Sequence, residues 1–341
     1  MRDPAEDLRR IAFLLERSRE PTYRVRAFRT AAERVDALSA AELGERAAAG
    51  TLQELPGIGK ATAAVIADSL AGREPEYLRK TEEAAPELVA GPGAALRSAL
   101  RGDLHLHSDW SDGGSPILEM AEAARDLGHE YAVLTDHSPR LTVARGLSAE
   151  RLLEQLDVVA QVNEQLAPFR LLTGIEVDIL EDGSLDQSDD LLSRLDVVVA
   201  SVHSKLRMPS AQMTPRMVAA IANPHTDVLG HCTGRLVGGK RPESEFDAEI
   251  VFEACASFGV AVEVNSRPER QDPPERLLRL ALDMECLVSV DTDAHAPGQL
   301  GWQVYGCDRL AECGGRPDGI VNAWVVDDLL AWATDHDHRP A

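Results

Sequence analysis

Apolar residues in the first 83 positions recur at helical spacing: Leu8, Ile11, Phe13, Leu14 and Leu15 in one run, then Val25, Phe28, Ala32, Val35 and Leu38 in another. No alternating run interrupts them. Residues 51–70, TLQELPGIGKATAAVIADSL, place an apolar turn with two glycines between two short helical stretches. From 84 to 99 the pattern thins to AAPELVAGPGAALRSA, and Gly91-Pro92-Gly93 is the strongest breaker in the chain. The pattern predicts an all-α domain over 1–84, a linker over 85–99, a second domain over 100–335 and a tail at 336–341. In the second domain short apolar runs at 102–107, 131–135, 170–177, 195–202, 228–230, 260–264 and 287–291 read as strands. Amphipathic stretches at 116–127, 149–165, 247–258 and 274–282 lie between most of them. Repeated βα units imply a parallel barrel or a doubly wound sheet. Polar residues at nearly every strand end favour the barrel, whose active sites gather on the face where strands finish.

Length and composition agree with two globular domains: 341 residues, 44% of them hydrophobic. No stretch reaches the roughly 18 apolar residues of a membrane span, and the charged start MRDPAEDLRR lacks the apolar core of a secretory signal, so a cytoplasmic protein with no membrane partner is expected. The five cysteines are scattered and form no CxxC, which argues against a disulfide framework and a thiolate zinc site. The net charge of −22 argues at first against nucleic acid. Its distribution softens that: residues 1–95 hold 14 basic and 16 acidic side chains, the remainder 21 and 41. Divalent ions would neutralise part of the acidic excess.

The strand ends carry the candidate chemistry. In chain order they present His105 and His107 (DLHLHS), with Asp112 following, then His137 (LTDHS), Glu176 (GIEVD), His203 (ASVHS), His231 (LGHCTG), and Asp293 with His295 (DTDAH). Imidazole nitrogen and carboxylate oxygen together suit Zn²⁺, Mn²⁺ or Fe²⁺. Residues i and i+2 of a strand point the same way, so His105 and His107 can grip one ion, as can Asp293 and His295. One HxH pair reads as readily as two half-buried polar residues; nine such groups on successive strand ends do not. The other HxH, His336 and His338, falls in the polar tail and reads as incidental; His129 reads as structural, and Cys232 faces away from its neighbour His231.

The motifs DLHLHS, SDG, TDHS, GIEVDIL, DGSLD, ASVHS, GHCTGR and TDAH resemble the PHP (polymerase and histidinol phosphatase) domain, in the form found at the C-terminus of bacterial family X DNA polymerases. The resemblance covers about residues 100–335. It implies a distorted (β/α)7 barrel with a three-metal site. His105, His107, Glu176 and Asp293 would hold the first ion; Glu176, His203 and His231 the second; Asp112, His137 and His295 the third. Hydrolysis of a phosphate ester needs a nucleophile at neutral pH and neutralisation of phosphoryl charge; a hydroxide bridging two metals supplies the first, the ions and nearby cations the second. No serine or cysteine nucleophile is expected.

Cationic residues follow the strand ends: Arg140 and Arg145, Lys205 and Arg207, Arg235, Lys240 and Arg241, then Arg267 and Arg270. Arginine grips phosphate by a two-pronged bond, and Arg235 and Arg145 join Glu176 and Asp293 as the expected catalytic groups. At the N-terminus Leu55-Pro56-Gly57-Ile58-Gly59-Lys60 resembles a helix-hairpin-helix, and with YRVRAFRTAAERV it is similar to the small N-terminal domain of family X polymerases. The glycines would let the backbone approach a DNA phosphate. Gly57, Ile58, Gly59, Lys60 and Arg24 are the expected DNA contacts, with Tyr23, Arg26 and Arg29 beside them and a monovalent cation at the hairpin. Two departures from that family matter. Only about 16 residues separate the two modules, leaving no room for a polymerase palm, and the position of the family's Schiff-base lysine is Val65, which cannot form an imine.

The reading is a metal-dependent phosphoesterase that processes DNA ends, as a 3′-phosphodiesterase, 3′-phosphatase or 3′–5′ exonuclease. The alternatives are a small-molecule phosphatase of the histidinol-phosphate type and a non-catalytic DNA-binding scaffold.

Overall fold

The structure is a computed structural model and describes residues 2–85, 88 and 91–334. The expected tail, with His336 and His338, and part of the expected linker lie outside the described residues. The chain divides into two compact units, Met1–Glu87 and Leu88–Ala341.

The first unit is all helix: α1 (Pro4–Arg17), α2 (Thr22–Asp36), α3 (Ala40–Ala49), α4 (Lys60–Leu70) and α5 (Glu76–Ala84). Asp3 caps α1 by accepting from the Ala5 amide at 2.8 Å, and Ser39 caps α3. Leu8, Ile11, Leu15, Phe28, Ala32, Val35 and Ile66, spaced to share helix faces, form one core. Within it the Arg29 guanidinium meets both carboxylate oxygens of Glu16 at 2.9 Å. Leu55-Pro56-Gly57-Ile58 is a tight turn closed by the Ile58 amide on the Leu55 carbonyl at 3.1 Å. Gly57 has φ +85, and a Cβ there would lie 2.6 Å from Cγ2 of Thr30.

The second unit opens with a short helix, α6 (Ala94–Ala99), where the sequence suggests linker. Leu96 and Leu100 are buried against Cys307 and Leu310, so these residues belong to the barrel. Gly93 lies against the backbone of Cys307, too close for any Cβ. Then come β1 (Gly102–Leu106), α7 (Ile117–Asp126), β2 (Tyr131–Leu134), α8 (Ala149–Leu166), β3 (Arg170–Asp178), α9 (Asp189–Leu192) and β4 (Val197–Ser201). The remainder is α10 (Ser210–Ile221), β5 (Val228–Leu229), α11 (Ala248–Phe258), β6 (Ala261–Asn265), α12 (Glu275–Asp283), β7 (Val288–Asp291), α13 (Gln303–Glu312) and α14 (Val326–Thr334).

All seven strands are parallel and pair in sequence order. The edges β1 and β7 meet through the Leu106–Ala294 bridge, making a distorted, nearly closed (β/α)7 barrel. Its strands are buried on both faces, as parallel strands covered by helices require. Ile175, Val177, Val198, Ala200 and Val262 pack outward with residues of α10 and α11. Tyr131, Val133, Leu172, Val197, Val199, Val228 and Ala261 cluster with Leu329 and Ala333 of α14. No helix among the described residues is long and apolar enough to cross a membrane.

His129, 4% exposed, has no hydrogen-bond partner on either ring nitrogen among the described residues. Burial, with Arg97 nearby, drives its pKa down to about 3. The unfolded chain, with a histidine near 6.5, binds the proton more readily, so this residue's contribution to stability is complete above pH 6.5 and is lost as pH falls toward about 3. His129→Leu is expected to gain about 2 kcal/mol over the wild type between pH 7 and pH 5, read as paired denaturant midpoints. A difference that does not change with pH contradicts this.

Candidate metal centre

The strands deliver their polar residues to one end of the barrel. His105 lies in β1 and His107 just past it; Glu176 is inside β3; His203, His231 and Asp293 follow β4, β5 and β7. Parallel pairing sets Glu176 beside Val199, which brings the end of β4 alongside it. Asp293 sits at φ +51, a left-handed conformation that a non-glycine residue adopts when its surroundings impose it.

Glu176 is the centre of the arrangement. Its Oε1 faces Nε2 of His203 at 3.1 Å and Nε2 of His231 at 2.8 Å. Its Oε2 faces Nε2 of His105 at 3.2 Å, Nε2 of His107 at 3.5 Å and Nδ1 of His137 at 3.0 Å. Nε2 of His107 also lies 3.4 Å from Asp293, and Asp112 lies 3.5 Å from His137 and 3.4 Å from His295. Three groups have ligand atoms mutually within 4.8 Å: His105, His107 and Asp293; His137, Glu176 and His203; and His107, Asp112, His137 and His295. Nε2 of His105, both ring nitrogens of His107 and of His203, and Oε2 of Glu176 are buried without a hydrogen-bond partner among the described residues. Buried polar atoms are nearly always satisfied, and imidazoles converging on carboxylates fit divalent cations.

The electrostatics are tightly coupled. Burial works to raise Glu176, yet His203, His105 and His137 hold it well below the usual carboxylate range. Burial likewise opposes Asp293, which Arg270 and Arg267 keep ionised. His203 is raised to about 9 against its burial, chiefly by Glu176, whereas burial and the neighbouring His295 and His137 push His107 well down.

A supporting layer was not legible as such in the sequence. Glu263, fully buried in β6, meets Nδ1 of His105 at 2.6 Å and accepts from the His231 amide. That pairing leaves Nε2 of His105 to face Glu176, the way an outer carboxylate fixes a ligand histidine. Asp178 accepts from the His203 amide at 3.0 Å. The available signal was a lone acid inside the apolar run AVEVN.

The basic residues separate into groups. Nε of Arg270 donates to Oδ2 of Asp293 at 2.8 Å, and Nη1 of Arg267 lies 3.0 Å from the Asp293 carbonyl and 2.9 Å from Nδ1 of His295. Arg145 is exposed at φ +56 and reaches the Asp109 carbonyl at 3.3 Å. Arg235 differs from expectation: its guanidinium binds the carbonyls of Arg270 and Gln271 and lies 3.4 Å from Glu243. All five cysteines are free and buried.

In the helical unit Lys60 is exposed at the start of α4, and the Gly59 amide donates to Thr62 Oγ1 at 2.9 Å. Ile58 is buried in the core. Arg24 donates to Glu20 and to the Tyr77 hydroxyl. Tyr23, Arg26, Thr30 and Gly57 instead share one open cavity.

Known proteins bear on both units. Residues 2–74 match the helix-hairpin-helix domain model, and residues 103–267 match the PHP domain model. The chain is 37% identical over 238 residues to "DNA polymerase/3'-5' exonuclease PolX" of Bacillus subtilis (strain 168), covering 70% of this chain and 42% of the relative. The chain thus spans less than half the length of that relative. A probable phosphatase of Thermoanaerobacter sp. (strain X514) is 30% identical over 239 residues, with 67% of this chain and 88% of the relative covered. The crystal structure of histidinol phosphate phosphatase from Lactococcus lactis, complexed with zinc, L-histidinol and phosphate, aligns with TM-score 0.48 and 15% identity over 63% of this chain and 94% of that one.

Replacing Glu263 with Gln is expected to weaken metal binding by about 10–100-fold while the chain stays folded. Calorimetric titration of metal-stripped protein with Mn²⁺ measures this; an unchanged isotherm contradicts the orienting role.

Proposed function

The chain belongs to the PHP-domain family and is a metal-dependent phosphoesterase, and from that we propose that it processes DNA ends, cleaving 3′-terminal phosphate esters. The observation that carries the catalytic reading is the set of five imidazole nitrogens around the two oxygens of Glu176, at 2.8–3.5 Å. Three ions, drawn from Zn²⁺, Mn²⁺ and Fe²⁺, are the proposed complement: the first on His105, His107, Glu176 and Asp293, the second on Glu176, His203 and His231, the third on Asp112, His137 and His295. Bound there, such ions activate water for attack and offset charge on the phosphoryl group. Glu176 offers one oxygen to each side of the cluster. Arg267 and Arg270 keep Asp293 anionic, and Arg145 adds positive charge at an exposed position. Buried Cys232 has its thiol pushed well up by burial and by Asp272, which leaves it a poor nucleophile.

The matched helix-hairpin-helix domain and the relative named as a 3′-5′ exonuclease support DNA as substrate. Gly57, Gly59 and Lys60 would hold a backbone phosphate at the start of α4, with Arg26 and Tyr23 flanking Gly57; Ile58 anchors the hairpin from the core, and the carbonyls of the turn offer a place for a monovalent cation. Because Arg24 is paired within the unit, it would act on DNA through the helix it braces. Val65, buried in α4, leaves no lysine for imine chemistry there. Five free thiols suit a reducing cytoplasm. A small phosphate ester is the second reading, favoured by the probable phosphatase that matches two thirds of this chain.

Incubating Mn²⁺- or Zn²⁺-loaded protein with 3′-phosphate-blocked duplexes and with histidinol phosphate separates the two. DNA-end turnover that falls steeply with added salt is expected; turnover of the small ester alone overturns the DNA reading. His203→Ala is expected to lose activity on both by at least about 10³-fold with its fold retained.

A further inference from the structure

The segment after β6 connects it to α12 and carries Arg267 and Arg270, the two cations on Asp293. Its backbone turns sharply, with Gln271 at φ +48, a conformation that a side chain-bearing residue keeps only where its surroundings over-determine it. Two arginines from outside the segment hold its carbonyls. Arg235 Nε donates to the Arg270 carbonyl at 3.0 Å and its Nη2 to that of Gln271. Arg309, on α13, donates from Nη2 to the Pro273 carbonyl and from Nη1 to that of Asn265 at 3.4 Å. Asp272 fixes the remaining side, accepting from the Thr233 amide and hydroxyl.

Resting on the metal-centre reading above, we infer that Arg235 and Arg309 are positioning residues: their clamp on four main-chain carbonyls holds Arg267 and Arg270 in register with Asp293 and so sets that side of the metal cluster. The planar fork of arginine suits the task, since one guanidinium spans two carbonyls that a single ammonium cannot. Asn265, at the start of the clamped segment, is itself 3.2 Å from Oδ2 of Asp293, so movement of the segment reaches the ligand by two routes. Arg235 and Arg309 line a cavity of about 330 Å³ together with Gln271, so their side chains can be shortened without opening the barrel core.

The test uses the full chain as Arg235→Met, Arg309→Met and the double variant, the corresponding Lys variants, and Arg125→Met as control, because Arg125 meets only Asp126 among the contacts described. Three quantities are read: amide hydrogen exchange of residues 266–271 in metal-stripped protein, Mn²⁺ binding by calorimetry, and kcat and KM on a 3′-phosphate duplex. The Met variants are expected to exchange faster in that segment, to bind the weakest Mn²⁺ about tenfold less tightly, and to lose kcat by a similar factor with KM unchanged. Each single variant should nearly match the double, because the two hold one element, and Arg125→Met should match the wild type. Wild-type exchange and a wild-type Mn²⁺ isotherm in both Met variants overturn the clamp. Should a Met variant fail to fold, the same two measurements on the Lys variants decide: an intermediate effect supports the clamp, wild-type values overturn it. If the wild type itself takes up none of Mn²⁺, Zn²⁺ and Fe²⁺, the metal reading fails, while the exchange data still judge the clamp.

Discussion

A carboxylate with almost no contact with water, crowded by five imidazoles, governs this structure. Burying an ionised Glu176 costs several kcal/mol unless opposite charge and ligands offset it, and the neighbouring side chains hold it ionised despite complete burial. Histidines alone do this only by taking up protons, as His203 does with its raised pKa, while His107 is pushed toward neutrality beside it. Divalent ions bound there would relieve the conflict, letting these imidazoles stay neutral and these carboxylates charged.

The barrel exists to deliver that crowd. The segments bearing the candidate ligands are scattered from His105 to His295, and a parallel sheet in sequence order brings each strand end to the same rim. The lower interior is filled by apolar residues from successive strands, so the polar layer rests on a packed floor. Buried acids then hold the candidate ligands: Glu263 meets His105 and the His231 backbone, Asp178 the His203 backbone. Beyond them, arginines bound to main-chain carbonyls hold the loops: Arg216 the turns after β3 and β4, Arg235 and Arg309 the segment after β6.

Much of this was legible in the sequence. All seven strands stood out because parallel strands buried on both faces read as continuous apolar runs. Eight of the nine candidate ligands stood out because they sit at or just past the end of such a run, and Asp112 because it follows the first pair in SDWSDGG. What periodicity could not show was α10, whose SAQMTPRMVAAI carries Pro215 inside it and a diluted apolar stripe. Helix α6 was masked by the Gly-Pro-Gly before it; its burial depends on Leu96 meeting Leu310, more than 200 residues later. The arginines were the least legible. Nothing local separates Arg270, bonded to Asp293, from Arg235, bonded to backbone, because partners far away in the chain decide where a long side chain points.

The most direct measurement of the central claim is a crystal structure of protein grown with Mn²⁺ or Zn²⁺, with anomalous maps collected on either side of the metal edge. Anomalous peaks on both sides of Glu176, one near His105, His107 and Asp293 and another near His203 and His231, are the predicted result. Glu176 hydrogen-bonded to its histidines with no peak within ligand distance of either oxygen would contradict the account.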